Sequence, residues 1–301
     1  MIRFRAALVL GGAIALAASS AARAQYFADD FDDLGAATRF SAPIFSAETG
    51  VIDGTVDYAF DYGTLGVPSA PRSVGGTTIG LGIAVNNTDD PVDEGEAVGV
   101  RPLIGSLPTN YRVVVDAFIY YASGGGSSEH AVLGVNGDGA SVPFTFVPGG
   151  GGQFYHIPHN SGLSNTAYAD DYYRVADGVV TKLYDGDSGT VFPDPETLGI
   201  FPDGTDPLFN DPGFPGNQWM TLQLVKTGST LEMKIDGVLI DTYDIGAGAT
   251  TGDIVLAGAD IFNSANPTNY IIFDNVAVVP EPASCVLLAL AALGLVRLRQ
   301  R

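Results

Sequence analysis

The chain has 301 residues, 46% of them hydrophobic, and sets 34 acidic side chains against 14 basic ones for a formal net charge of −20. That balance excludes nucleic acid and anionic lipid surfaces as partners, because both need a basic footprint. The single cysteine, Cys285, excludes a disulfide framework, so the fold must rest on core burial, for which the length is ample.

The first 24 residues read as a signal peptide. Arg3 and Arg5 form a positive start, Ala6 to Ala18 is apolar throughout, and Ala22-Arg23-Ala24 gives a small-x-small site before Gln25. This three-part layout predicts a short signal helix, export, and cleavage between Ala24 and Gln25. With the two ends set aside, residues 25–279 carry 8 basic against 33 acidic side chains, a net of −25. Such a body stays soluble and favours divalent cations.

From Tyr26 onward no long apolar run keeps the 3.6-residue spacing of a helix. Short β-branched and aromatic runs alternate with Gly, Pro, Asn and Asp clusters instead, which predicts one all-β domain over 25–278. "YFADDFDD" (Tyr26 to Asp33) reads as the first strand. Asp93-Glu94-Gly95-Glu96 is the nearest match to the paired carboxyl groups that glycan hydrolysis needs. Its spacing is wrong and it lies in a Pro/Gly-rich stretch, so it reads as solvated loop and no catalytic residue is assigned. "YRVVVDAFIYY" (Tyr111 to Tyr121) is a strand.

Between Asn136 and Gln218 only two strands are legible, around Tyr172 to Val175 and Val179 to Tyr184. The rest reads as long Gly/Pro/Asp-rich loops. Tyr155, Tyr168, Tyr172 and Tyr173 each offer an apolar face and a polar tip suited to stacking on sugar rings; packing of the long loop is the equal alternative. His156 and His159 offer two imidazoles to a metal, but Pro158 between them rules out a helix that would bring the rings together. Asp185 and Asp187 in "DGDSGT" have the spacing that begins calcium loops, without the downstream glutamate.

"QWMTLQLVKTGSTLEMKIDGVLIDTYDI" (Gln218 to Ile245) is the clearest segment. Leu222, Leu224, Leu231, Met233 and Ile235 fall on alternate positions, and Thr227-Gly228 and Asp236-Gly237 are turn dipeptides. Three antiparallel strands in succession are expected, with Trp219 buried at the start of the first. "NYIIFDNVAVV" (Asn269 to Val279) is the last strand.

This meander, with the first and last strands, is similar to the concanavalin A-like (laminin G-like) jelly rolls. The resemblance implies a jelly-roll β-sandwich whose first and last strands pair. It also implies a calcium ion shared by Asp30 and Asp274, where carbohydrate-binding relatives hold one.

The chain closes on Val279-Pro280-Glu281-Pro282-Ala283-Ser284. The apolar run from Ala283 to Val296 covers 14 residues, and Arg297, Arg299 and Arg301 follow. As a transmembrane helix this run is short of the roughly 20 residues a bilayer needs, and the arginines would hold its end in the cytoplasm. Residues 279–301 resemble the PEP-CTERM sorting tail of Gram-negative bacteria. That resemblance implies a transient inner-membrane anchor, an exosortase-type processing enzyme cutting near Pro280-Glu281-Pro282, and delivery to the cell surface or extracellular polysaccharide matrix. The expected function is that of an exported, non-catalytic protein that binds glycan or serves structurally, with calcium as its cofactor. The alternatives are a polysaccharide-active enzyme of the same fold and a purely structural matrix protein without a ligand.

Overall fold

The structure, a computed structural model, describes residues 25–48, 52–88, 95–122, 128–159, 168, 170–186, 191–202, 212–246, 252–262 and 268–281. The signal segment with Ala22 and Ala24, Asp187, and the tail from Pro282 through Arg297, Arg299 and Arg301 lie outside them. Among the described residues no helix is long and apolar enough to cross a membrane.

Among the described residues fifteen strands run in chain order as β1 (Phe27–Asp29), β2 (Ile44–Ala47), β3 (Thr55–Asp61), β4 (Ile79–Ala84), β5 (Glu96–Val100), β6 (Tyr111–Tyr120), β7 (Glu129–Gly137), β8 (Gln153–Pro158), β9 (Tyr172–Ala176), β10 (Val179–Tyr184), β11 (Trp219–Thr227), β12 (Thr230–Ile235), β13 (Val238–Asp244), β14 (Asp253–Asp260) and β15 (Tyr270–Pro280). A four-residue helical turn, α1 (Ala36–Arg39), follows β1. The strands form two antiparallel sheets. The first has the order β13-β12-β11-β6-β15-β4-β3, with β1 also paired to β15, and the second has β10-β9-β8-β7-β14-β5-β2. The protein is an all-β sandwich.

Alternation builds the core. Leu222 and Leu224 on β11, Leu231, Met233 and Ile235 on β12, Val113 and Val115 on β6, and Ile271 and Phe273 on β15 all point inward and are fully buried. Each such side chain contributes about 1.5–3 kcal/mol relative to exposure. Asp236 and Gly237 both have positive φ, as the two-residue turn that closes β12 on β13 demands. The expected three-strand meander is present, as are strands at Tyr172 and Val179.

Two expectations need correction. Trp219 lies an odd number of residues from Leu222, so the pleat turns it to the outer face, where it is only half-buried. β8 occupies part of the stretch read as loop. The first and last strands do pair. Phe27 stands opposite Val278 and Asp29 opposite Val276, and the Tyr26 amide donates to the Val278 carbonyl at 2.9 Å. Strand pairing continues beyond the expected boundary at 278, to Pro280 opposite Tyr111.

Each sheet also has a covered outer face. Residues 66–78 run as a strap across the first sheet, after a 3-10 turn at Tyr62–Leu65. Val67 of the strap packs with Tyr62, Phe118 and Ile272 beneath it, and the Trp219 indole N–H donates to the Pro68 carbonyl at 2.7 Å. A Cβ on Gly82 of β4 would lie 2.6 Å from the Phe60 ring. Only glycine lets that ring lie against the sheet. On the second sheet, Val142 and Phe144 cover Val132, Phe154 and Val255.

Candidate functional site

The candidate site lies where β1, β15, α1 and the strap meet. Across the outer face of the first sheet Asp274, Asp116 and Thr221 stand in one line on neighbouring strands. Both carboxylates are buried. The Thr221 hydroxyl donates to Asp116 at 2.9 Å. Arg72 of the strap donates to Asp116 through Nε at 2.8 Å and its backbone N–H at 3.2 Å, and to the Asn275 carbonyl through Nη2. Asp274 accepts from the Tyr62 hydroxyl at 2.8 Å, the Ser73 hydroxyl at 2.9 Å and the Asn275 amide at 2.6 Å. Burial, with the Asp116 charge adding to it, pushes the Asp274 carboxyl up to about 6 against those hydrogen bonds.

The register slips between Asp274 and Ala277. Asn275 takes up the bulge with a φ of 52°, a conformation asparagine tolerates better than most residues. The bulge exposes the Asn275 edge beside β1. There Phe31 turns back into the core and stacks on Phe40 at 5.3 Å, which carries α1 back over β1. Arg39 then grips both oxygens of Asp29 through Nε and Nη2, and reaches Asp33 through Nη1 at 2.8 Å. This contact, together with the Gly35 amide, holds the Asp33 carboxyl below the usual carboxylate range, and the two aspartates raise Arg39.

Between these groups is an open pocket of about 450 Å³, lined by Asp29, Asp30, Asp33, Arg39, Arg72 and Asn275 over a floor that includes Ala28, Val276 and Ala277. Leu34, next to Asp33, is 94% exposed, and Val74, two residues beyond Arg72, is 89% exposed. Neither lines the pocket, whose polar wall stands over the small apolar floor of Ala28, Val276 and Ala277. Asp29 and Asp33 are matched by Arg39 while Asp30, among the described residues, accepts only a backbone amide, so several carboxylate lone pairs remain for a ligand's hydroxyl groups.

The residues singled out from the sequence have mixed fates. Asp30 lines the pocket but is exposed and accepts from the Asp32 amide at 3.3 Å. Asp274 turns under the strap, so the two carboxylates keep separate contacts. Asp185 is paired with Lys182 at 3.4 Å. Among the described residues no group of three or more His, Cys, Asp or Glu side chains is placed to hold a metal ion.

Tyr155, Tyr172 and Tyr173 are fully buried, which leaves no face for a sugar ring. The Tyr155 hydroxyl crosses to Asp241 on β13 at 3.0 Å, Tyr172 donates to the Gly213 carbonyl at 2.7 Å, and Tyr173 stacks on His156 at 4.2 Å. Tyr168 alone of the four is half-buried, its ring edge-on to Tyr173 at 5.3 Å. His156 lies in β8 and His159 three residues on, so the pleat sends them to opposite faces. His156 Nε2 donates to the Pro143 carbonyl at 3.0 Å, and burial, followed by His130, lowers its pKa well below the ordinary value. Gln25 is exposed at the start of the described chain, and Pro280 and Glu281 end it, with Glu281 3.4 Å from Arg112 Nε.

Glu96 also departs from the loop reading. It opens β5, is buried, and accepts the Asp53 and Gly54 amides at 3.2 Å and the Asn86 amide at 3.0 Å. The sequence reading passed over Asp29, Arg39, Arg72, Asp116 and Asn275. One signal was available, a lone aspartate inside the apolar "VVVDAF".

No family model matches the chain, and no curated protein matches it. Similar solved structures include the potassium-bound carbohydrate recognition domain of Emp46p, at 8% identity and a TM-score of 0.39, covering 74% of this chain and 93% of that one. The calcium-bound exoplasmic/lumenal domain of VIP36 is similar at 10% identity and a TM-score of 0.37, covering 76% and 84%. A carbohydrate esterase from the Shiga toxin-encoding bacteriophage phi24B is similar at 13% identity and a TM-score of 0.36, covering 79% and 91%. The chemistry of the site rests on its own residues.

Proposed function

We propose that the protein is an exported surface or matrix protein of concanavalin A-like jelly-roll kinship that holds a glycan, without catalysis, in the pocket between β1, β15 and the strap. The observation that carries this reading is the pocket's make-up, an ordered polar interior over the apolar floor of Ala28, Val276 and Ala277. A pyranose has the complementary surface, hydroxyl groups around its edge and apolar C–H faces. Glycosidic cleavage by paired carboxyls needs one that is protonated. Asp33 is held ionised by Arg39, and Asp274, a carboxyl that burial pushes up to about 6, is closed off by Tyr62 and Ser73.

Ala28→Glu and Ala277→Glu test the reading, since both alanines line the pocket floor and neither is buried. Each is expected to weaken binding on a glycan array by about tenfold, the loss of roughly 1.4 kcal/mol of contact. Unchanged affinity in both, or release of reducing ends by the unaltered protein, would overturn it.

The address is part of the proposal. The Pro-Glu-Pro motif begins at Pro280, the last paired residue of β15, and its glutamate sits against Arg112. Intact-mass analysis of the surface protein is expected to find a chain from Gln25 to near Glu281. A mature form that retains residues 287–301 would sink the sorting reading.

A further inference from the structure

Two arginines give the pocket the look of an anion site, yet nearly all their nitrogens are engaged. Arg39 commits Nε and Nη2 to Asp29 and Nη1 to Asp33. Arg72 commits Nε to Asp116 and Nη2 to the Asn275 carbonyl. Among contacts of the described residues Arg72 Nη1 is left over, with the second N–H of its Nη2 beside it. A carboxylate or sulfate is recognised by a fork of two parallel N–H groups; the Nε–Nη2 fork of each arginine is already taken, and the three carboxylates that line the pocket outnumber its two guanidinium groups. Asp30 adds an exposed carboxylate with no cation partner among the described residues, and the chain's net charge of −20 repels polyanions from further away. A neutral hydroxyl group, by contrast, meets no such repulsion and finds free N–H donors on Arg72 and several spare carboxylate lone pairs.

We infer that the pocket takes neutral, hydroxyl-bearing pyranoses and rejects uronic and sulfated glycans. This inference rests on the pocket being a glycan site, as proposed above.

The mature chain is tested against immobilised neutral glucan, alginate and chitosan oligosaccharides, at low and high sodium chloride. Neutral glucan is expected to bind alike in both salts, and alginate at least about tenfold more weakly at low salt, the scale of one unscreened like charge nearby. Asp33→Asn keeps an oxygen for the Gly35 amide but releases Arg39 Nη1, so it is expected to narrow the gap between alginate and glucan. Asp30→Asn, an exposed change, is expected to narrow it too, and serves if the first variant melts early. Alginate binding as tightly as glucan overturns the selectivity and leaves the glycan reading standing. Unaltered discrimination in both variants overturns it as well. Binding confined to chitosan and lost in high salt means attraction between opposite charges and overturns it. Failure of all three glycans to bind overturns the glycan reading itself, and the selectivity with it.

Discussion

Asp274 is buried beside a second carboxylate, and the pair has Arg72 as its cation. Its folded-state carboxyl titrates near 6, above an unfolded aspartate at 3.8, so the native state binds this proton more tightly than the unfolded chain. The resulting stability is fully present below about pH 4 and is lost as pH rises through 6, a change of at most about 3 kcal/mol. Asp274→Asn keeps an acceptor for Tyr62 and Ser73 and removes the titration. It is expected to be more stable than the parent protein at pH 8, with the advantage fading towards pH 4, as urea denaturation at both values would measure. An advantage of equal size at both would mean that Asp274 is not the titrating group. Asp274 drew notice in the sequence through its place on the last strand; Asp116, which completes the line, did not. The tyrosines misled for a reason at the same scale. A ring with a polar tip looks alike in a sequence whether its hydroxyl reaches water or, as with Tyr155 and Tyr172, a partner inside the core.

At the scale of elements, the strap lacks regular secondary structure and is held by side chains. Arg72, Ser73 and Tyr62 fasten it to two aspartates, and Pro68 receives the Trp219 indole. Arg72→Ala would leave Asp116 buried without its cation, at a cost of about 3 kcal/mol. Because the chain has one tryptophan, its fluorescence reports on the strap. The variant is expected to shift Trp219 emission to the red while the strand signal in circular dichroism persists. Unshifted emission would mean that the strap stays seated without Arg72. Legibility differed among elements for a physical reason. β11 and β12 have one solvent-facing side, so their apolar residues alternate cleanly, with burial changing at every residue over most of their length. β8 is buried on both sides, and a strand with no wet face leaves no period in the sequence. Trp219 was misplaced only because its parity relative to Leu222 was not applied.

Over the whole molecule, the charge of −25 between residues 25 and 279 opposes compaction. Sodium chloride is therefore expected to raise the melting temperature. About 1 kcal/mol of relieved repulsion corresponds to about 2–4 °C for a domain of this size. Calcium at matched ionic strength is expected to add nothing further, because the buried acids described above are met by arginine, lysine, hydroxyl or amide groups. A larger rise with calcium would show a specific ion site. The two-sheet body was legible from turn chemistry and alternation. The pocket was not, because it gathers residues from 28 to 277 that share no motif.

The bulge and the pairing of β15 have a mechanical consequence. A tether leaving at Glu281 pulls along the axis of a strand flanked by β6 on one side and by β1 and β4 on the other. Nine registered pairs with β6 would then resist in shear and yield together, whereas a load at right angles would open them one after another. The pocket borders the last residues of that same strand, from Asn275 onward. Tension between a polymer held in the pocket and an attachment at the chain's end would run through six residues of β15, from Asn275 to Pro280, and bypass most of the sandwich.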